Sequence, residues 1–256
     1  ERAGADATVN TERTIAFYGD AAYDGAAATF DATVFVNTPL TSDSQGNVFF
    51  GFTVTGANPL DLAGGIARLG ADGSRRWVNA DSASGDATMA KTATNSAPAL
   101  SNDERTLYVV VNEAPAGQRA AGRLLALDAQ TLATRASILL VDPLLGAPAW
   151  VSENATSSPT VGPDGDVFIG VLEANAPAHS FRGWLLHFDA TLAQARTPGG
   201  FGWDSTASIV PRAMVPQYAG TSSYLLALKY NSYGGIGLGD GQHRVAVVDP
   251  HDAQLD

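Results

Sequence analysis

The chain has no cysteine, and that one absence removes disulfides, zinc–thiolate sites and thiol nucleophiles together. Charge is also scarce: 16% of the 256 residues are Asp, Glu, Lys or Arg. Basic residues are the scarcer kind, 15 against 26 acidic, so the formal charge is −11 and an extended phosphate-binding surface is not expected. Nucleic acid is therefore excluded as a partner. No apolar run approaches the roughly 20 residues that a membrane-spanning helix needs, and no charged start followed by a hydrophobic stretch marks a signal peptide. The chain opens on Glu1 rather than Met, which suggests a processed or excised segment. Sustained helical periodicity is missing as well, so the reading is all-β.

What is present suits a packed protein: aliphatic and aromatic residues make up 45% of the chain. The absence of cysteine leaves the redox compartment undetermined and is tolerated in a periplasmic or extracellular protein, and the Ala-rich, Arg-over-Lys usage leans that way. Prolines supply the first landmark. Pro39, Pro98, Pro159 and Pro216 are spaced by 59, 61 and 57 residues. Soon after each comes a strand core: Val48-Phe49-Phe50, Leu107-Tyr108-Val109, Val167-Phe168-Ile169 and Leu225-Leu226-Ala227. The ends of the next strands, Gly70, Asp128, Asp189 and Asp249, keep the same period. Between these landmarks lie short turns rich in Gly, Asn and Asp, the residues that tolerate positive φ.

A repeat of about 60 residues and four strands predicts a β-propeller, one blade per repeat. Residues 1–12 then form an N-terminal extension and 13–256 the propeller. Residues 13–20, aligned with 74–81, are expected to supply a fourth strand that closes the ring against the C-terminal sheet. Two forms follow. One is a ring of four blades; the other is a share of a seven- or eight-bladed ring completed by missing blades or by a second chain in a homo-oligomer.

The repeats resemble those of the pyrroloquinoline-quinone-type propellers, the superfamily of quinoprotein dehydrogenases and outer-membrane assembly lipoproteins. The resemblance is carried by Ser158-Pro159-Thr160-Val161-Gly162-Pro163-Asp164-Gly165-Asp166, by Gly122-Arg123-Leu124-Leu125-Ala126-Leu127-Asp128-Ala129, and by Ala71-Asp72-Gly73-Ser74-Arg75-Arg76-Trp77. It implies the fold for residues 13–256. For the enzymatic branch it implies a calcium-held quinone, an Asp base and often a vicinal Cys pair, which this chain cannot make.

The long loops gather on one face of such a fold, and they carry the candidate site: Asp81, Asp86, Glu113, Arg119, Asp142, Glu173, Arg182, Trp203 and Asp204. Carboxylates converging there suit calcium, which takes six to eight oxygens. Phe201, Trp203, Tyr230 and Tyr233 suit a platform for a sugar or a peptide partner. His179, His187, His243 and His251 are expected to lie apart rather than share a metal. Asn154-Ala155-Thr156 matches a glycosylation acceptor. The functional expectation is a non-catalytic binding or scaffolding module acting through its acidic long-loop face on a protein, a glycan or a cation. The alternative is a quinone-dependent oxidoreductase, or a propeller glycoside hydrolase or lyase using Asp81, Asp86 and Asp142.

Overall fold

The computed structural model describes residues 14–113, 120–152, 157–193 and 198–252. The strands form four separate antiparallel sheets in chain order. The first holds β1 (Val34–Val36), β2 (Thr41–Ser42), β3 (Val48–Val54), β4 (Gly65–Leu69) and β5 (Arg75–Asn79). The second holds β6 (Met89–Thr92), β7 (Ala99–Leu100), β8 (Thr106–Glu113), β9 (Gly122–Asp128) and β10 (Thr134–Leu139). The third is β11 (Thr160–Val161), β12 (Val167–Val171) and β13 (Trp184–Phe188); the fourth is β14 (Ser208–Pro211), β15 (Tyr224–Asn231) and β16 (His243–Val248).

Inner strands read as continuous apolar runs because both of their faces are covered. In β8, Leu107, Val109 and Val111 turn towards Phe49 and Ile66 of the first sheet. The alternate residues Tyr108 and Val110 turn towards Val167, Ile169 and Leu186 of the third. Phe168 and Leu185 then meet Tyr224, Leu226 and Leu228 of the fourth. Consecutive sheets thus pack face to face.

The expected propeller ring is not formed. Among the described residues no sheet closes, and the arrangement is sandwich-like: the four sheets are layers of an open stack. The outer face of the first sheet, with Phe50, Phe52 and Ala67, is covered by Phe17 and Tyr18 rather than by the fourth sheet. The described part of the expected closing strand, 14–20, is not a strand; it turns at Phe17 and Tyr18 and enters α1 (Asp20–Thr33). Asp20 explains the turn. Its carboxylate accepts the Ala16 amide at 3.1 Å and pairs with Arg75 of β5 at 2.6 Å, tying the segment to its own first sheet. At the other end β16 is an outer strand, with Val245 and Val247 80% and 49% exposed.

Two helices stand where loops were expected. α1 is Ala-rich and buries only Phe30, which stacks on Tyr18 at 4.4 Å. Alanine propensity, not an apolar stripe, makes it helical. The short α2 (Ala80–Ser84) wedges Ala80 and Ala83 between the first two sheets. The prolines also act differently from expected. Pro39 and Pro98 split an edge strand into β1 with β2 and β6 with β7, because proline has no amide to donate to the ladder. Pro216 leads no strand: in the fourth sheet Ser208–Pro211 pairs with β15 instead.

Candidate functional site

The long connections at one end of the third sheet are built around two carboxylates that the sequence places in the site. Asp142 is buried, and its Oδ1 accepts the amides of Leu144 and Leu145 at 2.8 and 3.1 Å. Its Oδ2 accepts the Ala174 amide at 2.8 Å, joining this loop to the segment after β12. Glu173 is fully buried, and its two oxygens accept the amides of Phe181 and Gly183 at 2.6 and 2.8 Å. Those amides belong to a left-handed run, Ser180 (φ 59°), Phe181 (φ 58°) and Gly183 (φ 62°), which is costly for the two non-glycines and is held by the Glu173 carboxylate. Burial pushes the Glu173 carboxyl up, against the pull of its backbone donors. Both residues organise backbone.

The remaining candidates are distributed. Asp81 accepts the Ser82 amide at 2.5 Å in the first turn of α2. Asp86 accepts the Thr88 hydroxyl at 2.7 Å and pairs with Arg123 at 3.4 Å, contacts that hold its carboxyl below the usual range. Glu113 reaches the Ala121 amide at 3.3 Å. Arg182 donates to the Tyr230 hydroxyl at 3.2 Å. Arg119, Glu153 and the Asn154-Ala155-Thr156 acceptor lie outside the described residues. Asp81, Asp86 and Asp142 are engaged at separate places; the sole cluster of three carboxylate or imidazole groups among the described residues is elsewhere, at Asp166, His187 and His251.

Trp203 and Asp204 do enter a common site. With Trp150, Ser152, Ser157 and Gly170 they line a narrow cleft of about 10 Å³, the size of one water, over the end of β12. Trp150 arrives there because its backbone bridges the strand ends, exchanging hydrogen bonds with Leu172 at 2.9 and 3.0 Å. Two glycines bring in Trp203. A Cβ on Gly170 would sit 2.1 Å from the Gly202 carbonyl oxygen, and one on Gly183 would sit 2.4 Å from the Trp203 Cβ. Asp204, at φ 55°, faces Lys229 at 2.8 Å and Asn231 at 3.4 Å. Both indoles are half-buried, each with one part open to solvent.

The expected aromatic platform is divided. Phe201 meets Tyr230 edge to face at 4.6 Å, and Tyr233 meets His243 at 5.4 Å. Trp203 lies apart in the cleft with Trp150, a residue that sequence reasoning missed although its segment falls in an expected long loop. Of the histidines, His179 is buried and stacks on Trp184 at 4.0 Å. His187 and His251 come together, contrary to the expectation that all four lie apart.

No family model matches the chain, and no curated protein matches it. Among solved structures, one of luciferin-regenerating enzyme is similar over 88% of this chain and 66% of that one, at 16% identity and a TM-score of 0.40. The chain thus spans just under two thirds of that structure's length. Among the described residues no helix is long and apolar enough to cross a membrane.

Proposed function

We propose that the protein is a non-catalytic, extracytoplasmic binding module that takes a neutral saccharide on its surface, where Trp150 and Trp203 open to solvent at the mouth of the cleft. The observation that carries this reading is the pair of part-open indoles at the mouth of the cleft, with the carboxylate of Asp204 beside them. An indole face covers the apolar C–H face of a sugar ring, while hydroxyl and carboxylate groups meet its rim. The walls are preorganised. Asp142 and Glu173 lock the loops behind the cleft through backbone amides, which lowers the ordering cost of binding. Those same bonds commit the loop carboxylates to structure, so the acidic loop face itself is a weaker candidate for ligand contact. The Ala-rich, Arg-preferring composition is what supports a place of action in the periplasm or outside the cell.

The test is a tryptophan-fluorescence titration with chito- and cello-oligosaccharides on the whole chain and on Trp203→Ala. Saturable change in the parent, weakened at least roughly tenfold in the variant, is the expected result; loss of one stacking ring costs about 1–3 kcal/mol. No saturable response to either series, or an equal response in Trp203→Ala, contradicts it.

A further inference from the structure

At the opposite end of β12 from the cleft, the sheets are joined by short turns, and two imidazoles and a carboxylate converge there. Asp166 immediately precedes β12, and His187 lies on β13 opposite Phe168. His251 comes from the turn after β16, in the fourth sheet's connection. The His187 Nε2 and an Asp166 oxygen are 2.8 Å apart, and one donor atom from each of the three residues lies within 4.8 Å of the others. His187 and Asp166 are 2% and 8% exposed, whereas His251 stands open to solvent. The buried pair is thus fixed by the fold and the third group arrives from the surface.

We propose that Asp166, His187 and His251 form a binding site for a divalent transition metal of the zinc type. The donor set decides the class. Two imidazole nitrogens and one carboxylate suit Zn²⁺ and its borderline neighbours, whereas Ca²⁺ asks for a cage of oxygens. Three protein donors leave a fourth position, and Asp164, whose carboxylate is 3.5 Å from His251 Nε2, stands beside it.

The surroundings are those of a supported site. The Phe168 ring stacks on His187 at 4.3 Å and fixes its plane. Tyr224 donates its hydroxyl to Asp164 at 2.9 Å, and burial together with Asp164 pushes the phenol far up, so it stays a donor. Asp249 accepts the His251 amide at 2.9 Å and is itself held by the Ser222 hydroxyl at 2.6 Å and by Tyr218. These contacts hold the turn that presents His251. A metal here ties the C-terminal turn of the fourth sheet to the third, so binding stabilises the stack at its open end.

The test uses the whole chain, freed of metal by a chelator that is then removed, and titrated with Co²⁺ followed by Zn²⁺. Expected are a visible Co²⁺ ligand-field spectrum saturating at one equivalent, its loss on adding Zn²⁺, and a rise in Tm with Zn²⁺ larger than with Ca²⁺. His251→Gln, at an exposed position where folding is kept, should weaken Co²⁺ binding at least roughly 100-fold and abolish the Tm rise. His243→Gln, at an exposed histidine outside the cluster, should change neither. A Co²⁺ response that never saturates, His251→Gln binding like the parent, or Ca²⁺ raising Tm as much as Zn²⁺ each overturns the proposal.

Discussion

Asp128 closes β9 with its carboxylate turned back on its own turn. It pairs with Arg135 at 2.7 Å and accepts the Thr131 amide and hydroxyl, each at 2.8 Å. Arg135 first, and then Thr131, hold the carboxyl down at about 2 against an ordinary 3.8. A carboxyl depressed in the folded state stabilises above its unfolded value, and that contribution fades as pH falls from about 4 towards about 2. The group is part-exposed, so solvent screening reduces the effect to about 1 kcal/mol. Asp128→Asn should therefore lose about that much stability in urea at neutral pH and little at pH 2.5; an equal loss at both would contradict the assignment. Asp128 was legible as a turn landmark from its place in the repeat. Glu173 and Asp142 were legible only as carboxylates in long loops, because a sequence does not display the amide groups that occupy them. Of its two donors, Gly183 is a glycine at positive φ, whereas Phe181 adopts positive φ without being one and so had no marker.

At the scale of the element, the strands were the easiest part to read. Leu107 to Val111 is a run apolar on both faces, and it is a strand covered on both faces. α1 was not legible because helical periodicity is a signal of burial on one face, and α1 buries one side chain. Pro216, a landmark of the repeat, marks no edge strand; Ser208–Pro211 takes that pairing. His187 and His251 were placed on different elements correctly, yet the turn after β16 folds back over β13, a tertiary event with no local mark. β16 itself carries a further expectation. It is an outer strand with Val245 80% exposed, and such edges template association. Val245→Lys should leave urea stability within about 0.5 kcal/mol and reduce concentration-dependent light scattering; a loss above about 1 kcal/mol would show that Val245 is covered.

Over the whole molecule, a 60-residue repeat was read as propeller blades, either a ring of four or a share of a larger ring, and the described residues form an open stack of four sheets instead. The repeat sets the sheet and its two apolar faces, and it is silent on what covers the last face at either end. At the first sheet that cover is Phe17 and Tyr18, positioned by Asp20 and Arg75. The stack also gives β12 two different ends, the indole-lined cleft and the histidine cluster, so occupancy of one can be followed apart from the other. Whether ligand binds at the Trp150–Trp203 surface is read out by backbone-amide NMR during an oligosaccharide titration. Shifts should be confined to Trp150–Ser152, Ser157, Ile169–Gly170 and Trp203–Asp204, with Asp166, His187 and His251 unmoved; shifts absent from these residues, or centred on the acidic loops around Asp81 and Asp86, would contradict saccharide binding there.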